Sequence, residues 1–196
     1  MAITKKKFEE IKNKYGHTSS FAIWGDEVDD MSIFDDEKEP WEHINDYCAI
    51  VALNPANEIG FLENFHSSNK KHGDNRLMLS IRGTKLEGSF MTDLSRFVTP
   101  DSRQVKISID DINDLIATLK EVGKIDTIAI FSSEAKYIDK ILESKGFKVI
   151  RFLHYSFQNG NGILRYCIKN SLDISDKNGN EKCVIALKHQ IMKAGF

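Results

Sequence analysis

The chain has 196 residues, 41% of them hydrophobic and 29% charged, with a net charge of −2. That composition supports a packed domain with a well-solvated surface, expected to occupy the whole of 1–196 with a C-terminal extension from about residue 170. It speaks against a membrane protein, because no apolar run approaches the ~20 residues that a bilayer span needs. It also speaks against a sequence-independent DNA clamp, which carries a basic footprint.

Met1–Lys14 is lysine-rich, carries Glu9 and Glu10, and lacks the apolar centre of a signal peptide. Cys48, Cys167 and Cys183 form neither a metal spacing nor an even disulfide set, so a reducing, cytoplasmic setting is expected. Asp26–Pro40 is acid-rich and closed by a proline, which reads as an exposed excursion. From Tyr47 to Leu53 a continuous apolar run predicts a buried parallel strand, stopped by Asn54-Pro55. Lys70, Lys71, His72, Arg76, Arg82 and Lys85 gather nearby and form either a local basic groove or an ordinary solvated face. Gly88–Asp93 is a strand ending in polar groups or a strand leading into a helix cap.

The next segments alternate. Ser108 with Asp111 makes a capping pair for a helix lined by Ile109, Ile112, Leu115, Ile116 and Leu119. Thr127–Phe131 predicts a second buried strand, and Ser132 or Ser133 then caps a helix that Gly146 ends. Phe147–Phe152 predicts a third strand, leading to His154. A last helix carries Val184, Leu187 and Ile191, whose apolar face packs on the domain or meets a partner. Helix and strand in alternation imply an α/β fold with a parallel sheet and covering helices. Ligands of such sheets bind beyond the carboxyl ends of the strands, which directs attention to the loops after Leu53 and Leu153.

Each polar residue in those loops has a structural reading beside a chemical one. Pro55 holds Asn54 out of helix at the strand tip, where its amide orients a water or merely closes an Asx turn. His154 either donates to a developing anion or is a histidine satisfied by backbone. Phe65, between Asn64 and His66, offers a ring for stacking or belongs to the core. His66 and His72 lack a helical partner and ligand-like neighbours, so no metal and no cofactor are expected.

In order, these residues resemble the uracil-DNA glycosylase superfamily. Ala52-Leu53-Asn54-Pro55 is similar to its Gly-x-Asp/Asn-Pro motif, with alanine for glycine. Ser132-Ser133-Glu134-Ala135 resembles its Gly-x-x-Ala helix start, and His154-Tyr155-Ser156 its His/Asn-Pro-Ser motif without the proline. Bacterial glycosylase-like proteins of that group carry Ser-x-x-x-Trp, Leu-Asn-Pro, Asn-Phe-His and Tyr-Met-Thr-Asp. Here these read Ser20 to Trp24, Leu53-Asn54-Pro55, Asn64-Phe65-His66 and Phe90-Met91-Thr92-Asp93.

The resemblance implies a three-layer α/β/α fold around a central, mainly parallel four-stranded sheet. It implies a hydrolase that cleaves the N-glycosidic bond of a damaged or modified base, with DNA or a free nucleobase or nucleoside as partner. Asn54 and His154 would be catalytic, the first holding water and the second stabilising the departing base. Leu53, Pro55, Asn64, Phe65, His66 and Ser156 would bind substrate, supported by Trp24, Thr92, Asp93 and Tyr155. The alternative is the same pocket kept as a nucleobase-binding module without hydrolysis. Ala52 adds a methyl group where backbone approaches ligand, and the Tyr155 ring stands where it can reshape a DNA-contact surface.

Overall fold

The computed structural model describes residues 2–69, 73–132 and 134–196, with the backbone alone at 157. Five strands, β1 (Ser19–Phe21), β2 (Cys48–Ala52), β3 (Phe90–Asp93), β4 (Thr127–Ile130) and β5 (Lys148–Arg151), make one sheet in the order β1-β3-β2-β4-β5. β2 to β5 run parallel, and β1 closes one edge antiparallel to β3. The α/β architecture and parallel core match the expectation; the sheet has five strands where four were expected. β1 has only three residues, all of them buried, so it carries no alternation to announce it.

Alternation along the strands sorts the core into two layers. Ala49, Val51, Phe90, Ile128 and Ile130 face one way, against α1 (Lys5–Tyr15), α3 (Ile109–Val122) and α4 (Tyr137–Ser144). Cys48, Ile50, Met91 and Ala129 face the other, against α2 (Asp74–Ile81), α5 (Gly160–Lys169) and α6 (Gly179–Lys193). Burial on both faces is why these strands read as unbroken apolar runs. The segment after residue 170 belongs to this second layer: Cys183, Ala186, Leu187 and Ile191 are buried, and α6 packs along α2 and α5.

The local signals act where hydrogen bonding is reciprocal. Ser108 and Asp111 form a capping box, with Asp111 accepting from the Ser108 N–H at 2.8 Å and Ser108 Oγ accepting from the Asp111 N–H at 3.1 Å. Gly146, at φ 93°, stops the run after α4 as its position predicted. The start of α4 differs. Ser132 Oγ accepts from the Glu134 N–H at 3.0 Å, Ala135 sits at φ 49°, and the helix begins only at Tyr137. Ser132, Glu134 and Ala135 therefore precede the helix rather than start it, and Ser133 lies outside the described residues, as do Lys70, Lys71 and His72. The acidic excursion is anchored rather than free, because Val28, Phe34 and Pro40 are buried. Among the described residues no helix is long and apolar enough to cross a membrane.

The crossovers position the site. The chain leaves β2 toward α2 on one face, and leaves β3 and β4 toward α3 and α4 on the other. Loops that diverge to opposite faces leave a crevice beyond the carboxyl end of β2.

Candidate active site

The loop after β2 is tied to the loop after β3. Asn54 Nδ2 donates to the carbonyls of Pro55 at 2.9 Å, Phe97 at 3.2 Å and Thr99 at 2.8 Å. The Thr99 N–H donates back to the Pro55 carbonyl at 3.0 Å, and the Ser95 N–H to the Leu53 carbonyl at 3.0 Å. Two amide hydrogens shared among three carbonyls fix the side chain and leave Oδ1 as the atom with which Asn54 can hold water. Leu53 is 8% exposed and packs in the core, so only its backbone serves this junction.

Beside the junction opens a cleft of about 280 Å³ lined by His17, Pro55, Glu58, Asp93, Arg96 and Val98, among others. Asp93 ends β3 and is 8% exposed. Burial pushes its carboxyl up to about 7; the charge of Asp74 adds to this, while the bond from Asn64 and the charge of Arg96 oppose it. Asn64 Nδ2 donates to Asp93 Oδ2 at 2.8 Å and to the Thr18 carbonyl at 3.0 Å. The loop that carries Asn64 is left-handed at Leu62 (φ 62°) and at Phe65 (φ 64°), conformations costly for bulky residues. That strain turns Asn64 toward the carboxyl. Thr92, behind Asp93, is 2% exposed and accepts from Ser19 Oγ at 2.9 Å, so it supports the strand end from within.

The loop after β5 carries a second polar group, His154, which does not itself line that cleft. His154 is half-buried, and burial lowers its pKa to about 4, so the imidazole is neutral at pH 7. Its Nδ1 accepts from the Ser156 N–H at 3.0 Å, which places the ring proton on Nε2. Neutral, tautomer-fixed and free to donate from Nε2, such a ring can stabilise an anion without being an acid. It stacks on Tyr155, with centroids 4.8 Å apart and planes at 18°. Tyr155 is 5% exposed and packs edge-on to Phe131 at 6.0 Å, so its ring belongs to the core and not to a DNA-contact surface. Burial, then the charges of Asp74 and Asp93, hold its phenol well above the usual range. The β5 loop therefore lies in the electrostatic neighbourhood of Asp93. Ser156 contributes its N–H to His154, and the Tyr155 carbonyl accepts from Arg76 at 3.1 Å.

The structure separates three expected residues from this group. Phe65 is 6% exposed within the core, and its carbonyl accepts from Trp24 Nε1 at 3.4 Å. His66 is 3% exposed, with Nε2 3.2 Å from the Phe21 carbonyl and its ring 5.4 Å from Trp24 and 5.3 Å from Phe34. Burial lowers its pKa to about 4. Phe65 is thus a core ring instead of a stacking platform, and His66 and Trp24 pin the acidic excursion to the sheet instead of meeting a base. The left-handed turn at Phe65 accompanies this division: Asn64, itself buried, meets the Asp93 carboxyl, and its two successors pack inward.

Reading the sequence missed His17, Glu58, Ser95 and Arg96. The signal for the last two was present, since the strand-end rule applies to Asp93 as it does to Leu53. Among the described residues, no group of three or more His, Cys, Asp or Glu is placed to hold a metal ion. No protein-family model and no curated protein matches the chain.

Proposed function

We propose that the chain is a uracil-DNA glycosylase-like hydrolase that cleaves the N-glycosidic bond of a nucleobase, with Asp93 as its base. The observation that carries this reading is a cleft-lining carboxyl held near 7 and oriented by Asn64. A group with that pKa is half ionised near neutrality and accepts a proton readily, which suits a general base. Its negative form also stabilises a sugar that gains positive charge as the bond to the base lengthens.

The steps follow from these groups. The C1′–N bond breaks and its electron pair leaves with the base. His154 Nε2–H donates a hydrogen bond to the growing anion while remaining neutral. Asp93 takes a proton from water as the water oxygen bonds to C1′, and that proton later passes through solvent to the departed base. Asn54 fixes the cleft's wall, with Oδ1 left to touch the water. Pro55 shapes the mouth.

The test is base release from nucleosides and oligonucleotides, single- and double-stranded, carrying uracil, hypoxanthine or xanthine. Wild type should release base, and Asp93→Asn should slow release by roughly 10²- to 10⁴-fold, the usual contribution of a general base. Ligand binding with no release from any substrate would assign the cleft to a binding module instead.

A further inference from the structure

We infer that a second cavity, between α2, α5 and α6, is a binding site for a small organic phosphate monoester, with Arg76 and Lys182 as its cations. The site is separate from the cleft that holds Asp93 and does not rest on the glycosidic reading.

The cavity has a volume of about 350 Å³, enough for a small organic molecule. Ile163 and Leu164 of α5 give it an apolar wall, and Arg76, Asn178, Asn180 and Lys182 give it a polar one. Among the described residues that line it there is no carboxylate. Glu181, next to Lys182 in the chain, is engaged elsewhere: Oε2 accepts from the Asn178 N–H at 2.9 Å, and Oε1 lies 3.7 Å from Lys177 Nζ. Among the described residues Lys182 makes no salt bridge.

Arg76 decides what the cavity can hold. It is 6% exposed and yet lines the space. Nη1 donates to the Tyr155 carbonyl at 3.1 Å, which fixes the plane of the guanidinium. Nε and Nη2 both converge on one atom, Asn180 Oδ1, at 2.9 Å and 2.6 Å. That edge is the fork that matches two oxygens of a phosphate or carboxylate. Here a single neutral oxygen occupies it, on a residue that is exposed. Asn180 is a placeholder: an oxyanion offers the fork two charged acceptors, and the amide turns out to solvent.

The two cations select among oxyanions. A phosphate monoester carries about two negative charges near neutral pH, which matches Arg76 with Lys182, whereas a carboxylate or a phosphodiester carries one. Ile163 and Leu164 take the organic body of the ligand.

The experiment is isothermal titration calorimetry at pH 8 with phenyl phosphate, beside inorganic phosphate and benzoate, which lack the ring or the second charge. Phenyl phosphate should bind at one site per chain, about tenfold tighter than either, the scale expected for burying a ring or adding a charge-assisted contact. Arg76→Lys should weaken it about tenfold or more, because an ammonium offers no fork. Lys182→Met, which keeps the stem and removes the charge, should weaken it about two- to fivefold. Asn180→Ala should tighten it about two- to tenfold by removing the competing oxygen, a gain that a merely structural Asn180 would not give. No saturable binding of phenyl phosphate to wild type overturns the site. So does unchanged affinity in both Lys182→Met and Asn180→Ala, neither of which alters a fully buried residue. Displacement of phenyl phosphate by an oligodeoxynucleotide without terminal phosphates also overturns it, since the cavity would then take diesters. Base release enters none of these readouts, so this site and the glycosidic reading fail separately.

Discussion

Replacing Asp93 with asparagine keeps the side chain's shape and its bond from Asn64, and removes a charge that its surroundings resist. In the folded protein the carboxyl titrates at about 7, against 3.8 for an ordinary aspartate. Between those values the native state holds a proton that the unfolded chain has released. The folded pKa is the higher one, so this group's contribution is fully present below about pH 4 and is lost as pH rises through 7. The interval is about three pH units, worth ~1.4 kcal/mol each, which bounds the loss at roughly 4 kcal/mol by pH 8. Asp93→Asn removes the titration. Urea unfolding at pH 5 and pH 8 should show the variant gaining on wild type by a few kcal/mol across that range. The same stability difference at both pH values would refute the claim that Asp93 is held protonated by burial.

Two further stability effects follow from buried groups. His66 titrates at about 4 in the fold against 6.5 ordinarily, so its contribution is present above pH 6.5 and fades as pH falls toward 4, by up to ~3 kcal/mol. His66→Phe should cost about 1 kcal/mol at pH 7 through the lost bond to Phe21, yet lessen the acid sensitivity seen in urea melts at pH 4.5. Gly73, at φ 84°, abuts the β5 loop, and a Cβ there would lie 2.9 Å from the Tyr155 carbonyl. Gly73→Ala should destabilise by about 1–3 kcal/mol and raise KM by displacing His154, read by thermal melting and steady-state kinetics. His154→Ala should lower kcat by roughly 10²-fold or more with little change in melting temperature, because it removes a donor to the leaving base.

What the sequence disclosed follows the length of the signal. The apolar runs of β2 and β4 and the capping box of α3 are local and strong, so they were legible. β1 was not, since Ser-Ser-Phe gains its place only by pairing with β3. Asn54 and Asp93 were legible as polar groups at strand ends and Asn64 as a polar group in the loop after β2, but their division of labour was not. Three carbonyls claim the Asn54 amide, and two of them come from a loop 43 or more residues away. The inward turn of Phe65 and His66 depends on left-handed backbone at a non-glycine residue, which spacing does not encode. Arg96 and Phe97 were open to the same strand-end rule, since they follow Asp93 at the end of β3.

The most direct test of the account is the pH dependence of kcat/KM for base release, measured on wild type and on Asp93→Asn. The account predicts a rate that rises about tenfold per pH unit below 7 and levels above it, with that limb absent from the residual activity of the variant. A flat wild-type profile through pH 7, or an Asp93→Asn protein as active as wild type, would contradict the assignment of Asp93 as the base.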